Sequence, residues 1–157
     1  MRPTQLDPII PQSALLHAPV QVSHSVVALV GAVDLRAIKA VDAGQLLAGD
    51  RLTALHVVEP GEDVDQLARR WSGLSCATVP LRTVDAAGPR GVDLAAAIVE
   101  AVVPENPQAV TTVVLARLQL SRRWHRWLHD RTGADIEAAL EPMAQVRVLS
   151  VPVLVPA

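Results

Sequence analysis

The sequence predicts an α/β domain built on a five-stranded, mostly parallel sheet with helices on both faces. Three observations predict it. Apolar, β-branched stretches recur at residues 25–30, 51–58, 78–84, 110–116 and 146–151. The first is a short continuous apolar run, the pattern of a strand covered on both faces, and the fourth is an apolar, β-branched run that reads as a buried strand. Between the stretches, apolar residues fall at helical spacing. Strands alternating with helices of roughly 10 to 15 residues form βαβ units and a parallel sheet.

Residues 1–23 contain Pro3, Pro8, Pro11 and Pro19, and proline at that density opposes helix and breaks strands. This predicts a linker or arm before a domain spanning 24–157, with Ile9, Ile10, Leu15 and Leu16 available to tack onto the core. After the first strand (Ser-Val-Val-Ala-Leu-Val, 25–30), Asp34 is placed to cap a helix. Leu35, Ile38, Val41, Ala43, Leu46 and Leu47 follow at helical spacing and predict its buried face. Gly49 and Asp50 end it. The second strand, 51–58, leads through Pro60 and Gly61 to a helix over about 62–72 with Val64, Leu67, Ala68 and Trp71 on one side. Pro80 within the third strand assigns that strand to a sheet edge. Asp93 is read as the cap of a helix over 94–103, which stops before Pro104. The fourth strand is 110–116. A helix over 132–141 ends at Pro142, and 146–151 is the fifth strand.

Composition excludes several classes. With 50% hydrophobic residues the chain can build a core, yet no run approaches the roughly 18 to 20 apolar residues of a membrane span. Its first residues lack the apolar centre of a signal peptide. One cysteine, Cys76, rules out an internal disulfide. A reducing cytoplasm fits, and a net charge of −2 does not fit a basic nucleic-acid binder.

Charge is nevertheless unevenly placed. Lys39 is the only lysine, and five of the 13 arginines fall within residues 117–132, with two of the three tryptophans and two of the five histidines. That run directly follows the fourth strand, and in parallel sheets ligands collect at strand carboxyl ends. A helix from Ser121 would put Arg122, Arg126 and His129 on one face, with Trp124, Trp127 and Leu128 on another. Guanidinium forks there can grip phosphate oxygens, with backbone donors at the helix start. The competing reading is a solvated basic face whose arginines pair with Asp130, Asp135 or Glu137. Trp124 and Trp127 either stack on a purine, worth roughly 1 to 3 kcal/mol per base, or anchor the helix to the sheet. His125 and His129 have zinc-like spacing, but no carboxylate completes the motif and the arginines repel a dication, so phosphate contact or capping is expected instead. Asp34 is open to two roles, helix cap or acceptor from a ribose hydroxyl or adenine amino group. The binding set is thus Arg117, Arg122, Arg123, Trp124, His125, Arg126, His129 and Asp34. His56, inside a strand, reads as a satisfied semi-buried histidine. Arg82 and the loop 88–91 are surface features that can lend a cation to the same crevice.

No catalytic constellation is visible. Cys76 has no neighbouring histidine to activate it, and there is no nucleophile elbow, paired-carboxylate motif or phosphate-binding P-loop. The expectation is a binding module that is not an enzyme and holds no metal or cofactor.

The run Val-Val-Ala-Leu-Val, then Asp34, then Leu-Thr-Ala-Leu-His-Val-Val (52–58) resembles the opening of universal stress protein domains. A closer likeness is to the C-terminal cytosolic domain of APC-type permeases, potassium importers included. It rests on Val113-Val114-Leu115, on the segment 122–132 (Arg-Arg-Trp-His-Arg-Trp-Leu-His-Asp-Arg-Thr) and on the valine-rich close at 146–152, and covers about 24–153. The resemblance implies a Rossmann-like, universal stress protein-like domain that pairs as a homodimer through its last strand. It also implies a regulatory role at the inner face of the membrane, attached to a permease; some relatives bind cyclic di-AMP. ATP is a less favoured ligand. ATP-binding stress proteins carry a glycine-rich loop after the fourth strand, whereas here no glycine lies between Gly91 and Gly133. The alternatives are a ligand-free dimerisation module of a transporter and a stand-alone ATP-binding stress protein.

Overall fold

The computed structural model describes residues 23–48, 51–88, 90–104, 108–119 and 131–154. Among them, five strands form one sheet in the order β3-β2-β1-β4-β5: β1 (His24–Leu29), β2 (Leu52–Val58), β3 (Leu81–Asp85), β4 (Val110–Gln119) and β5 (Val146–Leu154). Every neighbouring pair is parallel. Helices α1 (Leu35–Ala48), α2 (Val64–Ser72), α3 (Gly91–Val102) and α4 (Arg131–Leu140) make the connections. This is the expected α/β, Rossmann-like architecture.

Two apolar layers explain why the central strands lack polar alternation. Val26, Ala28, Leu52, Ala54 and Val114 face α1 and α2, where Ala37, Ala40, Val41 and Trp71 meet them. On the opposite face Leu29, Leu55 and Val113 pack against Ile98 and Val102 of α3 and Ile136 and Leu140 of α4. Side chains alternate between faces along a strand, so burying both requires apolar residues at consecutive positions. The proline at the third strand also reads correctly, since β3 is an edge. Pro80 sits just before it, and its carbonyl accepts from Ala54 N–H at 2.9 Å.

Several boundaries and faces differ from expectation. On α1 the buried residues are Ala37, Ala40, Val41 and Gly44, while Leu35, Leu46 and Leu47 are exposed. Small residues win because the helix lies close to the sheet. A Cβ built on Gly44 would come within 2.6 Å of Leu52 Cδ1. Asp93 is not the cap of α3. The helix starts earlier, with Arg90 at the N-cap, and the Asp93 carboxylate reaches back to accept from Arg90 N–H at 3.2 Å and from its guanidinium at 3.0 Å. Strand β4 continues past Ala116, so Arg117 lies within it. Strand β5 continues through Pro152, which the register sets opposite Arg117. Proline is tolerated there because β5 is an edge and its outer side has no neighbouring strand in the sheet.

Candidate functional site

The strand order reverses between β1 and β4. From β1 the chain steps outward through α1 to β2; from β4 it steps the other way through α4 to β5. In a doubly wound sheet the crevice at such a switch point is where ligands bind. β1 and β4 are in register up to Leu29 and Leu115, and the arginine-tryptophan run follows directly on β4 in sequence. Six residues of the expected binding set, Arg122, Arg123, Trp124, His125, Arg126 and His129, lie outside the described residues, as do residues 1–22 of the expected arm 1–23.

The other two, Asp34 and Arg117, have defined partners. Asp34 precedes α1 and caps it, Oδ1 accepting from Arg36 N–H at 2.8 Å. Its carboxylate also pairs with the Arg36 guanidinium at 2.6 Å, both side chains being 39% exposed. Partial burial pushes the Asp34 carboxyl up, but hydrogen bonds and charge from Arg36 outweigh it and hold the group below its ordinary value. With the Arg36 amide on Oδ1 and the Arg36 guanidinium on both oxygens, the carboxylate's roughly four lone-pair sites are taken, so a further donor has to displace the Arg36 side chain.

Arg117 points to the other face. Its Nη1 donates to Glu137 Oε2 of α4 at 3.0 Å, with side chains 28% and 32% exposed. Glu137 Oε1 in turn accepts from the Ser150 hydroxyl of β5. A guanidinium, a carboxylate and a hydroxyl therefore tie β4, α4 and β5 together. The structure brings Arg117 to Glu137, one of the carboxylates expected to compete for it, and sets Asp34 against Arg36 on the opposite side of the sheet. Arg82 donates to the Ala101 carbonyl at the end of α3, 3.3 Å away, and Arg90 is engaged by Asp93; in this structure both serve α3.

His56 is buried and satisfied, as its place in a strand predicted, and it also has a partner that the sequence did not reveal. Nδ1 lies 2.7 Å from Val30 O, and Nε2 lies 2.9 and 3.0 Å from the two Glu62 oxygens. Glu62 returns to His56 because Gly61, at φ +86°, turns the β2–α2 loop back on itself. Burial raises the Glu62 carboxyl, while the His56 hydrogen bond and the Glu59 amide lower it, leaving it below its ordinary value. Cys76 is buried, and that burial pushes its thiol up, the opposite of what a thiolate nucleophile needs.

Away from these groups, an apolar groove of about 350 Å³ runs between α2 and β3, lined by Val64, Leu67, Trp71, Val79 and Leu81 among others. Among the described residues no helix is long and apolar enough to cross a membrane.

A search of curated proteins finds no match to the chain. A scan of protein families does: residues 22–153 match the model described as the KimA potassium transporter C-terminal domain. That match spans nearly every described element, from β1 almost to the end of β5, so the chain belongs to the family of C-terminal domains of KimA potassium transporters.

Proposed function

We propose that this domain is a cytosolic nucleotide sensor that regulates a potassium permease, and that its ligand is cyclic di-AMP. The observation that carries the reading is the coincidence of two positions. The family match assigns the chain to a potassium transporter, and the arginine-tryptophan-histidine run follows directly on β4, the strand beside the switch point. Arg122, Arg123 and Arg126 supply guanidinium forks for phosphate oxygens, Trp124 a face for an adenine, and Asp34, at the start of α1, an acceptor once the Arg36 guanidinium gives way. His125 and His129 add donors, and Arg117 joins by exchanging part of its bond with Glu137 for a phosphate oxygen. The module acts by binding and not by catalysis. A two-fold ligand suits a two-fold dimer, in which each protomer offers the same groups. β5 is the edge available for that pairing, with Leu149 and Leu154 exposed on it. The ligand regulates only by favouring one arrangement of domain and permease over another.

Calorimetric titration tests this. The expected result is micromolar or tighter binding of cyclic di-AMP, weaker binding of ATP and AMP, and loss of binding in Arg122→Ala and Arg123→Ala with the fold intact. Absence of heat with all three nucleotides rejects the sensor. One observation favours a second reading, a ligand-free dimerisation module: Arg117 already satisfies itself on Glu137. No heat from a chain that sediments as a dimer would establish that reading.

A further inference from the structure

His56 presents both ring nitrogens to oxygen atoms. Val30 O, 2.7 Å from Nδ1, is a carbonyl and only accepts, so Nδ1 carries a proton. The Glu62 oxygens, 2.9 and 3.0 Å from Nε2, also only accept when ionised. The second contact therefore needs a second proton, held on Nε2 or on the carboxyl group. A neutral imidazole beside an ionised Glu62 is one proton short, and would set a lone pair against a carboxylate.

We propose that the His56–Glu62 pair is a proton-dependent latch, which fastens the β2–α2 loop to the carboxyl end of the sheet and, through Val30, to the β1–α1 loop. Glu62 fixes the loop's shape by two further bonds. Its Oε2 accepts from Glu59 N–H at 3.1 Å, and its own N–H donates to Glu59 O at 3.0 Å. The ring is buried, with a side-chain exposure of 5%, while Glu62 is 30% exposed, so the loop carboxylate is the partner free to swing out. The charged groups on the surrounding elements are Asp34 and Arg36 at the start of α1, Arg70 of α2, which reaches Val33 O at 3.4 Å, Asp85 of β3, opposite Val58, and Glu59 and Asp63 of the loop itself. Arg70 engages Val33 O and Arg36 engages Asp34, and Glu62 is the carboxylate hydrogen-bonded to the imidazole. Raising the pH removes the shared proton and opens the latch; lowering it restores the bond. The latch stands whether or not a nucleotide binds at the switch point.

Amide hydrogen exchange on the 157-residue chain tests it. The protection factor of the Glu59 amide, corrected for base catalysis, is expected to fall about tenfold as the pH is raised stepwise, the size expected for losing one charge-assisted hydrogen bond. The remote Thr111 amide, which donates to Gln145 O, is expected to keep its protection. Glu62→Gln is the decisive variant. Its carboxamide can donate to a neutral Nε2, so the second proton is no longer needed and Glu59 protection becomes independent of pH. Constant protection in the wild-type chain, an equal fall at Thr111, or an unchanged fall in Glu62→Gln would overturn the latch.

Discussion

Trp71→Ala is expected to lower the unfolding free energy by about 3–5 kcal/mol, the range for removing a buried aromatic ring. Trp71 is 5% exposed and sits in the layer between α2 and the sheet with Cys76 and Val79. Its indole N–H donates to the Val79 carbonyl at 3.1 Å. Truncation therefore removes its contacts in that layer and leaves that carbonyl without its donor. Urea unfolding followed by circular dichroism measures the loss as a lower midpoint at unchanged slope. Trp71→Phe separates the two contributions. It keeps most of the ring volume, gives up the N–H, and is expected to cost about 1 kcal/mol from the lost hydrogen bond plus a smaller packing loss. A Trp71→Ala loss below about 0.5 kcal/mol, the range of a surface substitution, would mean that α2 is not held to the sheet as described.

The second large effect lies on the opposite face. Leu140 is fully buried, at the end of α4 among Ile136, Ile98, Val102 and Val113. Leu140→Ala is expected to cost about 2–5 kcal/mol, the spread depending on how far the cavity collapses. The two residues belong to separate layers with the sheet between them. Their effects should therefore add to within about 0.5 kcal/mol in the double variant. A large coupling energy would show that the layers share contacts, contrary to the two-face packing.

Much of this architecture was legible in the sequence, and each miss has its own physical cause. Continuous apolar runs announced buried parallel strands, and Pro80 announced an edge. The face of α1 was misjudged because periodicity favours leucines, whereas close approach to Leu52 selects Ala37, Ala40 and Gly44. The ends of β4 and β5 were cut short at Arg117 and Pro152, because Arg117 opens the cationic run and proline breaks strands. Neither is disruptive here: Arg117 finds Glu137 on α4, and Pro152 sits on an edge. Asp93 was assigned one helical turn too far along, since a carboxylate reaching back from N3 looks in sequence like a cap.

The site was less legible than the fold. Asp34 as a cap could be read directly, because its bond to Arg36 is local. That Arg117 would find Glu137 rather than another carboxylate could be offered only as one of several pairings, and the join to Ser150 depends on the lateral order of β4, α4 and β5. The His56–Glu62 pair carries almost no sequence signal. It depends on a glycine at positive φ folding the loop back, and glycine beside proline in a loop is too common to single out.

The proposed sensor requires arginine side chains that follow β4 in sequence, and not main-chain amides of a glycine loop, to hold a nucleotide phosphate. Mapping amide chemical-shift changes as cyclic di-AMP is added to the isotopically labelled chain tests it most directly. The largest changes are expected within residues 117–129 and in the loop 30–34 that ends at Asp34. Changes confined to the groove between α2 and β3, or none at saturating ligand, would contradict it.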